Sequence, residues 1–176
     1  MKPIPLLVGA LALGGLIACA TPEPPRSANP TAKLAFQGDK LVIPKGRDRW
    51  ITLGVTHALS YEGDFGGNTF NTVRADPASY EIFVRTGAFP VGTMLDLEVR
   101  KPMTDVAPAR GGQTQGAVVA RSIHVKDEKA GPGTWTFYSY PTGGELGTAL
   151  PRSQACYSCH ADHAATDTVF TQYYPT

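Results

Sequence analysis

Cys156, Cys159 and His160 stand in the order Cys-x-x-Cys-His within Ser153-Gln154-Ala155-Cys156-Tyr157-Ser158-Cys159-His160-Ala161. Two thiols at this spacing share one face of a helix, and the histidine after the second places an imidazole beside them. This is the attachment pattern of a c-type haem: the thiols add to two vinyl groups and the histidine becomes an axial ligand of the iron. Three other chemistries use the same residue types. A redox-active dithiol normally follows a strand in a βαβ unit, whereas this motif lies near the carboxyl end, after several strand-like segments. Zinc would take Cys156, Cys159, His160 and His163, but four ligands strung along about two turns of helix surround a tetrahedral ion only if the helix opens. A structural disulfide would close a very small loop, contribute little entropy and leave His160 unexplained.

The function of a haem depends on its second axial position. An iron with one histidine ligand binds small molecules, whereas a second protein ligand confines it to electron transfer. Candidates for that second ligand are His124, which faces away from Ile123 and Val125, and the methionines Met94 and Met103. Met94 falls on the strand face opposite Leu95 and Leu97, so it is not plainly a core residue. His57 is a further histidine, and His163 lies too near His160 on the same helical face to reach across the ring.

The elements that must position these groups are mainly strands. Gly and Pro, 19 and 15 of them in 176 residues, recur between short apolar segments. Ile51, Leu53 and Val55 alternate with Thr52, Gly54 and Thr56, and Leu95, Leu97 and Val99 alternate with Asp96, Glu98 and Arg100. Further strands are predicted over Ala117 to Val125 and Trp135 to Tyr140. A helix is predicted from Asp76 to Gly87, with Asp76 as cap, Pro77 at its first position, Tyr80, Phe83 and Val84 on one face and Gly87 as stop. A second, starting near Ser153, carries the haem motif. The expected fold class is α+β, mainly β: one domain with a twisted antiparallel sheet, a few helices and the haem helix near the C-terminus.

With 16 Lys+Arg against 15 Asp+Glu, the formal charge is +1 and no run of like charge appears, which excludes a polyanion surface and hence nucleic acid as a partner. Met1-Lys2-Pro3 precedes an apolar run ending Leu16-Ile17-Ala18-Cys19. Residues 1–18 are predicted to be a lipoprotein signal peptide, with Cys19 as the lipidated residue. The proline-dense stretch 19–32 would be an extended tether, leaving 33–176 as the folded domain. That places the domain on the periplasmic face of a bacterial envelope, and Ala20 after Cys19 favours the outer membrane.

Several segments, read in order, resemble the cytochrome P-460 family and its relatives the cytochromes c′-beta. They are Leu41-Val42-Ile43-Pro44 with Trp50, Asp76-Pro77-Ala78-Ser79-Tyr80, Thr86-Gly87-Ala88-Phe89 with Gly92-Thr93, Gly131-Pro132-Gly133-Thr134-Trp135-Thr136-Phe137-Tyr138, the Cys156 to His160 motif, and Asp167-Thr168-Val169-Phe170-Thr171-Gln172-Tyr173-Tyr174-Pro175. The resemblance implies a homodimer carrying one haem c on Cys156, Cys159 and His160, with an open distal side. In the hydroxylamine-oxidising branch a lysine is also joined to the macrocycle and a distal carboxylate assists proton removal. The c′-beta branch lacks that lysine and binds nitric oxide in an apolar pocket capped by phenylalanine. At the positions where the lysine would fall, this chain has Leu97-Glu98 and Val84-Arg85.

Lys101 and Lys126 sit near strand ends among polar neighbours and read as solvated. Glu98 is the distal carboxylate candidate, although its strand face, shared with Asp96 and Arg100, reads as surface. Phe83 and Phe89 are the candidates for a phenylalanine cap. The expected function is therefore binding of nitric oxide or a related small nitrogen species at a five-coordinate iron. Two alternatives stand beside it: hydroxylamine oxidation with electrons passing to a small cytochrome, and six-coordinate electron transfer.

Overall fold

The computed structural model describes residues 33–59, 67–127 and 135–174. The signal segment 1–18, Cys19 and the tether 19–32 lie outside these, as do Gly131 to Thr134 and Pro175 of the family-like segments.

Eight strands form one open antiparallel sheet: β1 (Phe36–Gln37), β2 (Lys40–Val42), β3 (Ile51–His57), β4 (Phe70–Ala75), β5 (Met94–Thr104), β6 (Gln113–Lys126), β7 (Trp135–Tyr140) and β8 (Leu146–Ala149). Their order across the sheet is β1-β2-β8-β7-β6-β5-β4-β3. From β3 to β8 the chain is a meander, interrupted between β4 and β5 by helix α1 (Pro77–Thr86). A second helix, α2 (Ala155–His163), and a 3-10 turn at Thr171–Tyr173 follow the last strand. The expected mainly-β single sheet is present.

Helix α1 begins and ends as its sequence dictates. The Asp76 carboxylate accepts from the Ser79 amide at 3.0 Å, Pro77 takes a position whose amide needs no partner, and Gly87 closes the helix at φ 74°. Its inward face differs from the expected one. Ser79 and Ile82 are buried and Tyr80 and Phe83 pack on the core, but Val84 is 63% exposed.

The sheet buries both faces. One carries Leu53, Ala75, Leu95, Trp135 and Phe137, with Phe89 and Val169 packed on them, and is covered by the two helices and the C-terminal segment. The other carries Leu41, Trp50, Met94, Ile123, Val125 and Tyr140. Met94 is completely buried there, a core residue after all.

Strand β5 shows why a charged row can be interior. Asp96 and Glu98 are 0% and 5% exposed, not at the surface as their alternation with Leu95 and Leu97 suggested. Across the ladder Asp96 faces Arg74 on β4, and Glu98 faces Arg121 on β6. Arg74 reaches Asp96 at 3.4 Å, Arg100 reaches Glu98 at 2.8 Å, and Arg121 pairs with Glu98. Cross-strand arginines thus neutralise carboxylates that could not otherwise be buried. Desolvation still pushes the Asp96 carboxyl above its ordinary range, against the pull of Arg121, Arg47 and Arg74.

Candidate haem site

Helix α2 starts at Ala155, with Gln154 before it, two residues later than the sequence suggested. Cys156, Tyr157, Cys159 and His160 form its half-buried face, and Ala155, Ser158, Ala161 and Asp162 face outward. Tyr157 fastens this face to the sheet. Its hydroxyl accepts from the Phe137 amide at 3.1 Å and donates to the Leu150 carbonyl at 3.3 Å, while its ring stacks on Phe137 at 4.4 Å.

Between α2 and the sheet lies a cavity of about 320 Å³. Its floor follows from the pleat: Leu95, His124 and Phe137 are register partners across β5, β6 and β7 and point to the same side. Leu97, Val99, Asn71 and Val73 extend it toward β4, and Trp135, Phe170, Tyr173 and Tyr174 close it. Strand β3 reaches it through an irregularity. The register with β4 shifts between Thr52 and Gly54, after which Gly54 and Thr56 face the cavity and Val55, 49% exposed, faces out. The alternation of Ile51, Leu53 and Val55 therefore does not describe one buried face.

Cys156, Cys159 and His160 all line this cavity. The two cysteines are free thiols. Burial pushes the Cys159 thiol up, and Cys156 and Asp162 add to the shift. Among the described residues no three of His, Cys, Asp or Glu converge on a metal-sized point, and His163 is exposed at the end of α2, where its carbonyl accepts from Gln172.

The His160 ring is held on every side. Its Nδ1 lies 2.7 Å from the Thr168 carbonyl, and because a carbonyl only accepts, Nδ1 carries the proton. Nε2 is the nitrogen left for a metal. The rings of Phe137 and Phe170 stand at 4.7 Å and that of His124 at 5.3 Å. Burial lowers the His160 pKa, partly countered by the Thr168 bond, so the imidazole is neutral and ready to ligate.

His124 lies beside His160 rather than across from it. It stacks on Phe137 at 4.0 Å, the same ring that touches His160, leaving no place for a macrocycle between the two imidazoles. Burial, and then His160, depress its pKa well below the usual histidine value. Met94 is on the far face of the sheet, Met103 is 47% exposed, and His57 is exposed, bonded to Asn68 and stacked on Phe70. Met94, Met103 and His57 do not line the cavity.

The distal candidates also fall elsewhere. Glu98 is on the opposite face of β5 from Leu97 and Val99, locked among arginines. Phe83 and Phe89 stack on each other at 4.2 Å, with Phe89 edge-on to Trp135 at 6.0 Å, so they support the wall from behind. Lys101 is exposed on β5. Lys126, expected to be solvated, donates to Asp167 at 2.5 Å and to the Phe89 carbonyl at 2.8 Å. Among the described lining residues there is no lysine and no carboxylate. Sequence reading missed Phe137, Phe170 and Tyr157 as site residues, although each lies in a segment it had marked.

An antiparallel sheet bearing a Cys-x-x-Cys-His helix over an apolar cavity is the architecture of a c-type haem protein. The family model described as Cytochrome P460 matches residues 44–171, and the chain belongs to that family, whose members bind haem c. No curated protein matches the chain. The donor set fits the group: two thiols and an imidazole with its outer nitrogen already bonded meet at one apolar cavity.

Proposed function

We propose that this haem c protein binds nitric oxide, or a related small nitrogen species, at an iron carrying one protein ligand. Cys156 and Cys159 hold the macrocycle through thioether bonds, and His160 supplies Nε2. The haem contributes a metal site for small diatomic or nitrogenous ligands. The chain contributes the rest: Thr168 fixes the imidazole tautomer, Phe137 and Phe170 fix its plane, and Leu97, Val99 and Val73 keep the opposite wall apolar.

The observation that carries this reading is that the one other imidazole in the described cavity lining, His124, lies beside His160 and not across from it, and that no lysine or carboxylate is among the described lining residues. Hydroxylamine oxidation needs a base within hydrogen-bond reach of the bound nitrogen, and Glu98 is on the wrong face to serve. In the proposal the chain is exported, anchored through a lipid on Cys19 at the periplasmic side of the outer membrane, and works as a homodimer. Titrating the reduced full-length protein with nitric oxide, beside an assay of hydroxylamine with an artificial electron acceptor, tests it. A saturable spectral change with nitric oxide and no hydroxylamine turnover is expected. Multiple turnovers with hydroxylamine would favour the enzyme instead.

A further inference from the structure

We propose that Lys126 and Asp167 are positioning residues for the His160 imidazole, acting through the Thr168 carbonyl; the proposal rests on the haem reading above. Asp167 and Thr168 have φ of 51° and 57°, so two consecutive non-glycine residues occupy the left-handed region. They form the centre of a tight turn closed by Val169 N to Thr166 O at 2.8 Å and Thr166 N to Val169 O at 3.3 Å. Positive φ at both central residues is the type I′ pattern, which favours Asn and Gly. A β-branched threonine there is an outlier that persists only where its surroundings impose it.

Those surroundings come from one place in the sheet. Lys126 and Trp135 are register partners across β6 and β7. Lys126 Nζ donates to Asp167 Oδ2 at 2.5 Å, and Trp135 Nε1 donates to the Asp167 backbone carbonyl at 2.9 Å. Lys126 is itself fixed by the Phe89 carbonyl at 2.8 Å. The pair is largely withdrawn from water, with side-chain exposures of 14% and 27%. One residue further on, the twisted turn presents the Thr168 carbonyl to His160 Nδ1 at 2.7 Å. A firm bond at the outer nitrogen makes the ligating nitrogen more electron-rich, which favours the oxidised metal. Loosening the turn weakens that donation.

The test uses the full chain matured with its haem, as parent, Asp167→Asn, Lys126→Met and the conservative Lys126→Arg. Reduction potential and the Fe–His stretching band of the reduced protein are the readouts. Asp167→Asn and Lys126→Met are expected to raise the potential and lower the stretching frequency, and Lys126→Arg to bring both back toward the parent. If Asp167→Asn does not mature, Lys126→Met against Lys126→Arg carries the comparison. Lower melting temperatures with both readouts unmoved would overturn the proposal, since the pair would then only stabilise the fold. A parent that matures without haem would overturn the haem reading and this proposal together, and the parent's absorption spectrum distinguishes that failure.

Discussion

The imidazoles of His124 and His160 stand 5.3 Å apart, edge to face, and both lie against the ring of Phe137. A histidine so placed is part of the wall behind the axial ligand and cannot be the ligand trans to it. The His124→Phe variant should therefore keep the parent's reduced spectrum and its carbon monoxide response. A parent that is six-coordinate and becomes five-coordinate on this change would return His124 to the iron.

Gly54 is required by a close approach. A Cβ there would meet the Tyr173 carbonyl at 2.9 Å and the Tyr174 ring at 3.1 Å, so the C-terminal aromatic segment crosses β3 only because position 54 has no side chain. Gly54→Ala should cost about 1–3 kcal/mol and displace the two tyrosines from the cavity wall. Thermal unfolding measures the first effect, and altered tyrosine side-chain resonances report the second.

Glu98 offers a separation of stability from ligand binding. Glu98→Gln takes the carboxylate from Arg100 and leaves Arg74 and Arg121 to share Asp96 in a site that is mostly buried, a loss of about 3 kcal/mol. Because the residue faces away from the cavity, affinity for nitric oxide should be unchanged in protein that remains folded. A selective loss of binding or activity with normal stability would restore Glu98 as a distal group.

Asp96 should reverse the usual carboxylate pH dependence. Burial raises its folded pKa above the unfolded value of 3.8. Between those two values the folded chain binds more protons than the unfolded one, so this group's contribution to stability falls as pH rises through the window. Asn has no proton to exchange, so the parent's advantage over Asp96→Asn should be full below pH 3.8 and shrink as pH rises from there through the folded pKa. Melting curves of both proteins across that range check the sign.

Much of this site was legible because local chemistry specifies it. The Cys-x-x-Cys-His spacing, the Asp76 cap and the Gly87 stop each act within a few residues, and the structure places the haem motif on a cavity and ends α1 where its sequence says. What was not legible depends on pairing across the sheet. Strand β4 alternates Asn71, Val73 and Ala75 with Phe70, Thr72 and Arg74, and a half-buried arginine looks like surface until Asp96 is opposite it. The same pairing hid the burial of Glu98. The bulge in β3 defeats simple alternation because one extra residue changes which side chains face the cavity. Lys126 likewise has no local signal for its partner, since Asp167 lies 41 residues away in sequence.

The most direct measurement is the absorption spectrum of the full chain, matured in a host that attaches c-type haem, before and after acid acetone extraction and before and after carbon monoxide is added to the reduced form. The account requires haem that resists extraction in the parent and is released from the Cys156→Ala, Cys159→Ala double variant. It also requires a five-coordinate reduced spectrum, an unshifted Soret band as expected without a lysine cross-link, and a change on adding carbon monoxide. Haem that stays attached without the two cysteines, or a reduced six-coordinate iron indifferent to carbon monoxide, would contradict it.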